Sequence, residues 1–319
     1  MPEVRSPTVR RRELGARLRA LRTEKNLTVE QVAATVLCSA SKVSRMETGH
    51  GVATPRDIRD LCDLYGVTDQ AERERMLQLA REGRQQGWWQ PYDLDFDTYV
   101  GLEAAAIGLK YYQSTIVPGL LQTADYARAM LEVSIPKLAP ERMNELLEVK
   151  MTRQRILSRE QPLRLWAVID EAALHRVVGG PAVMAEQLQR IAEVTSNPNV
   201  TMQVIPYEAG AHPAMDSTFN ILEFADSVPD VVYVEGLVGW IYLDRPAEID
   251  KYQQVFDNLC HLALSSKESI DLVAKIGKHH LARLNNTRPN LSELCPGRSF
   301  TRTVGMLGRK DPFWYEKEG

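Results

Sequence analysis

Residues 27–49, LTVEQVAATVLCSASKVSRMETG, constrain the fold of this chain most, because two short helical patterns meet there across a connection of only a few residues. Thr28 precedes the first pattern and Ser39 the second, and both are residue types that cap helix N-termini. The small Ala33 lets the second helix cross the first closely. Gly49 predicts the end of the second helix, because glycine adopts the left-handed conformation that closes many helices. The stretch therefore predicts two short helices joined by a tight turn.

The second predicted helix has an exposed face that suits nucleic acid. Val43 and Met46 lie on the inward face, which leaves one lysine, one arginine and several short side chains outside. Long basic side chains reach base edges or phosphates in a major groove, and short ones let the backbone approach. The residues assigned to base contacts are Ala40, Ser41, Lys42 and Arg45, and those assigned to phosphate contacts are Thr28, Ser39, Ser44 and Arg56.

The distribution of charge supports this interpretation. Residues 1–50 carry ten Lys or Arg against five Asp or Glu, about +5, and the formal net charge of the whole chain is −3, so the remainder carries about −8. A basic N-terminal part on an acidic body is typical of a DNA-binding domain joined to another domain. Arg10, Arg11 and Arg12 are predicted to add sequence-independent attraction to phosphates.

Over about Leu14 to Val67 the sequence resembles the helix-turn-helix of the lambda-repressor-like, xenobiotic-response-element (XRE) regulators. The residues that carry this resemblance are the small Ala33, the Ser39 cap, the Ser44-Arg45 pair, Glu47 and Gly49. The resemblance implies that Arg22, late in the first helix, pairs with Glu47 at the end of the recognition helix and ties the two helices together. It also implies sequence-specific binding to double-stranded DNA as a homodimer, on inverted half-sites about one helical turn apart.

Two residues depart from the pattern of these regulators. Leu37 stands in the turn where they usually have glycine, so we expect a slightly different turn or a side chain strained in the left-handed conformation. Val29 stands directly after the first cap, where a polar residue often contacts phosphate, so we expect one backbone contact to be missing. Operator specificity therefore does not carry over from relatives.

The rest of the chain predicts a second domain of a different class. Helical patterns continue to about residue 85, and the segment Gly83–Asp95, with two glycines and a proline, marks a boundary. Beyond it, runs rich in β-branched and aromatic residues alternate with helical patterns, which indicates a mixed α/β (α+β) domain. The predicted strands are 163–169, 200–206, 217–224, 231–235 and 240–244. The predicted division is a five-helix, all-α DNA-binding domain over 1–85, an α/β sensory or partner-binding domain over 86–278 and a mobile C-terminal tail over 279–319.

The segment Tyr111–Leu131 contains a Pro-Gly turn and predicts a helix capped by Thr123. It resembles the large domain that follows the helix-turn-helix in many actinobacterial regulators of an antitoxin-like type, and the resemblance extends over about Asp95–Ile276. It implies a small protein partner, because relatives are often paired with one. Consecutive leucines and nearby aromatic side chains can anchor a partner, or they can be ordinary core. The residues assigned to partner binding are Trp88, Trp89, Leu120 and Leu121.

No sequence pattern indicates catalysis or a bound metal. The phosphate-loop, GxSxG and HExxH motifs are missing, and the four cysteines are scattered without zinc-ligand spacing. Asp170, Glu171 and His175 follow a predicted strand end and His212 lies in a loop, but a lone histidine there is more often a satisfied polar residue. We therefore expect no enzyme activity, no cofactor and no metal.

The expected location is the cytoplasm. No apolar run is long enough to cross a bilayer, and no apolar stretch follows the basic N-terminus as a secretory signal would require. The sequence favours a transcription regulator controlled by a ligand or a small protein partner. The alternative is an antitoxin-like protein that mainly sequesters a small protein partner and regulates its own operator.

Overall fold

Helices build the N-terminal part of the chain, as predicted. In the computed structural model, which describes residues 6–134, 137–225, 228–237 and 239–285, these helices are α1 (Pro7–Glu24), α2 (Val29–Thr35), α3 (Ala40–Glu47), α4 (Pro55–Tyr65) and α5 (Gln70–Glu82). Four of them begin at a side chain that accepts a hydrogen bond from the first turn, namely Thr28, Ser39, Thr54 and Asp69. Their apolar stripes meet in one core, which includes Leu18, Val32, Val43, Ile58 and Met76.

Helix α1 is longer than predicted and contributes to two cores. It begins at Pro7 rather than at Arg11, with the proline in its first turn, where the missing N–H costs nothing. Val9 packs in the core of the α/β domain, whereas Leu14 packs in the core of the helical domain. The helical domain is therefore joined to the α/β domain through a continuous helix as well as through the segment 83–95, and the chain up to Leu284 is one compact unit.

A mixed sheet of six strands, among the described residues, forms the centre of the α/β domain. The strands are β1 (Gly108–Gln113), β2 (Arg164–Asp170), β3 (Val200–Ile205), β4 (Phe219–Glu223), β5 (Val231–Gly236) and β6 (Gly239–Leu243), and their spatial order is β3-β2-β1-β4-β5-β6. β1, β2 and β3 pair in parallel, and β4, β5 and β6 extend the sheet by antiparallel pairing. The predicted fold class is confirmed, and the bounds of the five predicted strands lie within two residues of the observed ones.

The central strand β1 was not predicted. Its sequence, GLKYYQ, buries Leu109, Tyr111 and Tyr112 and alternates only weakly, because a central strand is covered on both faces. A run of six residues without a period of two cannot be distinguished from a loop by pattern alone.

Helices cover both faces of the sheet. They are α6 (Asp97–Ala105), α7 (Ala124–Glu132), α8 (Pro140–Arg153), α9 (Glu171–His175), α10 (Pro181–Val194), α11 (Pro246–Leu262) and α12 (Ser266–Asn285). On one face, Phe256 and Leu259 of α11 pack against Tyr112 and Phe219. The opposite face is covered by several helices whose core residues include Leu102, Tyr126, Leu188 and Val273. The α/β domain thus has three layers.

The last helix extends past the predicted start of the tail. α12 continues to Asn285, so residues 279–285 are helical rather than part of a mobile segment. His280 is buried, and its Nε2 lies 3.2 Å from the carbonyl oxygen of Leu174, which attaches this end of the helix to the domain. Residues 286–319 of the predicted tail lie outside the described part of the chain.

Candidate DNA-binding surface

Side-chain caps define the two helices of the predicted helix-turn-helix. Thr28 Oγ1 accepts from the Gln31 N–H at 3.2 Å, and Gln31 Oε1 accepts from the Thr28 N–H at 2.8 Å, so α2 begins with a capping box. Ser39 Oγ accepts from the Lys42 N–H at 3.1 Å at the start of α3. Gly49 closes α3 with a φ of +74°. The two predicted caps and the terminal glycine are confirmed.

The turn between α2 and α3 holds Leu37 in the left-handed conformation. Its φ is +54°, and its side chain is 92% exposed. The other non-glycine residues with positive φ in the described chain are Asn26 and Asp93, which have short polar side chains that tolerate this conformation. The expected departure at Leu37 therefore takes the form of backbone strain rather than of a different turn.

An ion pair joins α1 to the end of α3. Arg22 donates to Glu47 through Nε at 2.7 Å and through Nη2 at 2.9 Å, and its Nη1 donates to the Leu27 carbonyl at 2.8 Å. The Glu47 side chain is 5% exposed and that of Arg22 is 16% exposed. Hydrogen bonding to Glu47 raises the pKa of Arg22 above its ordinary value. The pair implied by the resemblance is confirmed.

The crossing of α1 and α3 depends on a glycine that the sequence analysis did not single out. A Cβ atom on Gly15 would lie 2.5 Å from the Met46 carbonyl oxygen and 2.6 Å from that of Glu47. Any larger residue would push α3 away from α1. The signal available in the sequence was a glycine inside an otherwise helical pattern, which costs helix stability unless packing requires it.

The outer face of α3 is open to solvent. Ser41, Ser44 and Arg45 are exposed, and Ala40 is half-buried. Lys42 differs from the prediction, because its Nζ lies 2.6 Å from Asp57 Oδ1 at the start of α4. Burial alone would raise the pKa of Asp57, but hydrogen bonds from Lys42 and Thr54 bring it below its ordinary value. Lys42 can therefore contact a base only if its pair with Asp57 opens, or if its ammonium group bonds to Asp57 and to the base edge at the same time.

The predicted phosphate contacts border this face. Thr28, Ser39 and Ser44 are exposed, and Arg56 is the freest of the four, with 88% of its side chain exposed. The oxygens of Thr28 and Ser39 accept backbone hydrogen bonds as caps, but a hydroxyl keeps its own hydrogen for donation. Their hydroxyls can thus donate to phosphate without losing the cap.

The cluster Arg10, Arg11 and Arg12 does not form a free basic surface, contrary to the prediction. Arg10 pairs with Glu13 and Glu82, and Arg12 Nη2 lies 2.6 Å from Asp244 Oδ2 with 10% of its side chain exposed. Burial lowers the pKa of Arg12, and Asp244 partly offsets that effect. The partners of Arg10 lie on α1 and α5, whereas the partner of Arg12 lies in the α/β domain.

The residues assigned to partner binding are mostly core, which corrects the prediction. Trp89 is 3% exposed, and Leu120 and Leu121 are 1% and 0% exposed. Leu120 and Leu121 belong to the large core on one face of the sheet, and Trp89 packs with Val149 in a small core of its own. Only Trp88, at 39%, offers an exposed surface among the four.

The histidines at the sheet edge are held by neighbouring side chains. His175 Nε2 lies 3.0 Å from Glu171 Oε1, and His212 Nε2 lies 3.7 Å from Asp170 Oδ2 and 3.4 Å from the Tyr112 hydroxyl. In the described part of the chain, His, Cys, Asp and Glu do not assemble in groups of three or more that could hold a metal ion. No described helix is long and apolar enough to span a membrane.

Capped α2, the tight turn and the exposed face of α3 define a helix-turn-helix DNA-binding protein. Comparison with known families agrees, because the family model described as a helix-turn-helix domain matches residues 13–76. The chain belongs to the family of the domain of unknown function DUF5753, whose model matches residues 96–275, more than half of the chain. No curated protein and no solved structure matches it.

Proposed function

We propose that this chain is a transcription regulator of the lambda-repressor-like, XRE type that recognises a specific operator through α3. The observation that carries the proposal is the contrast between the two faces of α3. Its inner face is fixed to α1 by the Arg22–Glu47 pair and by the close approach at Gly15. Its outer face presents Ser41 and Arg45 to solvent. A rigidly held helix with a short-chain, basic outer face suits entry into a major groove.

The proposal includes a homodimer that acts in the cytoplasm, where the DNA is. A single helix of eight residues reaches only a few base pairs, and two copies related by a two-fold axis double the contacts on inverted half-sites. The proposal also includes control by a ligand bound to the α/β part, and it assigns binding rather than catalysis to that part. Pairing of His175 and His212 with carboxylates supports a structural role for both.

The first experiment measures binding of the full-length chain to DNA from its own upstream region and to scrambled DNA, at two salt concentrations. We expect binding that is tight on the upstream DNA and survives the higher salt, because base contacts depend less on counterion release than phosphate contacts do. Equal, salt-sensitive binding to both DNAs would contradict operator recognition. Sedimentation of the same samples gives the number of chains per DNA.

Two arginine variants then separate base from phosphate contacts. Arg45→Ala should weaken binding to the upstream DNA by about 1–3 kcal/mol and leave scrambled DNA nearly unchanged. Arg56→Ala should weaken both about equally and reduce the salt slope by about one. Arg176→Ala is a matched control, because Arg176 is exposed but lies in the α/β domain. If Arg45→Ala behaves like Arg176→Ala, α3 does not contact the operator through this residue.

The antitoxin-like alternative has less support from the geometry. Three of the four residues assigned to a protein partner are buried, so they cannot anchor one without unfolding of the core. A small protein that copurifies with the chain and binds it in a defined ratio would favour the alternative, and its effect on operator binding would show which role dominates.

A further inference from the structure

A groove of about 1510 Å³ lies between the helical domain and the α/β domain. Glu13 of α1 and Leu79 of α5 line it on the helical side. On the other side it is lined by Ala104 of α6 and by Ile156, which follows α8. Pockets for drug-sized ligands usually measure about 300–1,000 Å³, so this groove has room for an organic molecule with its water.

Two exposed apolar side chains line the groove. Trp88 is 39% exposed and Ile107 is 40% exposed, whereas neighbouring Trp89 and Ile156 are buried at 3% and 8%. Trp88 is held edge-on by Trp89 and Tyr92, at ring-centroid distances of 5.9 and 6.4 Å. An aromatic ring fixed in this way offers a flat contact at little entropic cost.

Most charges that line the groove neutralise one another. Arg153 makes a double hydrogen bond to Glu103 at 2.7 and 2.8 Å, and this carboxylate raises the pKa of Arg153 despite its burial. Glu13 accepts from Arg10 and Arg75. These groups bond to one another in the groove wall, so few of their hydrogen-bonding positions remain for a ligand.

The part of the groove wall formed by residues 155–164 is different, because it contributes more arginines than carboxylates to the lining. The arginines are Arg155, Arg159 and Arg164, and Glu160 is the carboxylate of this segment. Arg159 is held in place by bonds to the carbonyls of Ala104 and Ala106, both at 2.8 Å. The backbone N–H of Arg164 donates to the Ile107 carbonyl at 3.1 Å, which brings this arginine next to the apolar side chain.

The Arg164 side chain is available to a ligand. It is 68% exposed, and its nearest carboxylate, Glu223, is 3.5 Å away and already accepts from Lys110 at 2.8 Å. Arginine guanidinium groups bind carboxylates, sulfonates and phosphates through paired hydrogen bonds. An exposed isoleucine beside several arginines therefore favours a molecule that is apolar along its body and negative at one end.

We propose that the groove binds an amphipathic organic anion, with its apolar body against Trp88 and Ile107 and its acidic group at Arg155 and Arg164. Because the groove is lined from both domains, occupancy is coupled to the position of the helical domain. That regulatory consequence rests on the proposed function, whereas the binding itself does not. The site is separate from the outer face of α3, so ligand and DNA do not compete for the same residues.

The test uses two fluorescent probes and the full-length chain without DNA. 1-Anilinonaphthalene-8-sulfonate has an aromatic body and a sulfonate, and N-phenyl-1-naphthylamine is its neutral counterpart. We expect saturable binding of the sulfonate at one site per chain, with energy transfer from tryptophan. Arg155→Gln should raise its Kd about fivefold and leave the Kd of the neutral probe unchanged. Trp88→Ala should weaken both probes by about tenfold.

Matched controls make the result decisive. Trp166 is also 39% exposed but lies on β2 outside the groove lining, so Trp166→Ala should change neither Kd. Arg176→Gln serves the same purpose for Arg155.

The proposal is overturned if neither probe binds, if the Trp166 variant weakens binding as much as the Trp88 variant, or if Arg155→Gln affects both probes equally. A chain that binds the sulfonate but no operator refutes the proposed function and leaves the groove proposal intact, and the reverse result refutes the groove proposal alone.

Discussion

Replacing Leu37 with glycine should stabilise the helix-turn-helix. A leucine in the left-handed conformation costs about 1–2 kcal/mol, and here φ is +54°. The side chain is 92% exposed, so its removal sacrifices almost no buried apolar surface. Glycine brings back a cost of about 0.5–1 kcal/mol because the unfolded chain becomes more flexible. The expected net gain for Leu37→Gly is about 0.5–1 kcal/mol, and Leu37→Asn should gain a similar amount.

Two measurements test this expectation. Urea unfolding of the full-length chain, followed by circular dichroism, gives the change in the free energy of unfolding at constant m-value. Hydrogen exchange of the amides in α2 and α3 reports the same change locally, where a small gain is easier to detect. The matched control is Ala34→Gly, an exposed position one turn earlier inside α2, which should lose about 1 kcal/mol.

The outcome that refutes the reasoning is a loss of stability for Leu37→Gly equal to that for Ala34→Gly. The loss in both variants would then come only from the added flexibility of the unfolded chain. The left-handed conformation of Leu37 would in that case cost no measurable free energy. Faster amide exchange in α3 of Leu37→Asn would contradict the expectation independently, because asparagine adds no such freedom.

Three further predictions concern the attachment of α3. Glu47→Gln should cost about 3 kcal/mol in urea unfolding, because it leaves the half-buried Arg22 cation without a carboxylate, and replacing both residues with leucine should recover much of that loss. Gly15→Ala should cost about 1–3 kcal/mol in the same assay and weaken operator binding, because the new Cβ meets the backbone of α3. An unchanged free energy of unfolding would show that α1 and α3 can move apart without cost. Asp57→Asn should destabilise the chain at neutral pH, and the difference from the wild type should shrink as the pH falls through the lowered pKa of Asp57, since protonation then removes the Lys42 pair from the wild type as well. A difference that does not shrink with falling pH would contradict the role of this charge.

Local chemistry explains why so much of the helix-turn-helix could be predicted. Capping by Thr28 and Ser39 involves residues three positions apart, and such short-range hydrogen bonds leave a signature in the sequence itself. The Arg22–Glu47 pair spans 25 residues and was expected only through the resemblance. The exposed face of α3 followed from which positions its apolar residues occupy.

Contacts between distant parts of the chain account for what was missed. Arg12 pairs with Asp244 across 232 residues, and no local pattern distinguishes an arginine with such a partner from one that is free to attract phosphate. Leu120 and Leu121 follow a Pro-Gly turn that looks exposed, yet both are buried in the large core on one face of the sheet. Central strand β1 lost its alternation because it is buried from both sides. In each case the tertiary environment, which the sequence window does not contain, decides the outcome.

Helix α1, which belongs to two cores, has a mechanical consequence. Its 18 residues span about 27 Å, with one end embedded beside the sheet and the other beneath the recognition helix. When α1 tilts, it pivots about the end that is packed in the α/β domain. A tilt of about 10° at the embedded end displaces the far end by about 5 Å, which exceeds the rise of about 3.4 Å per base pair along the DNA helix axis. In the proposed operator complex, a small rearrangement near the sheet is therefore enough to move α3 out of register with the base pairs.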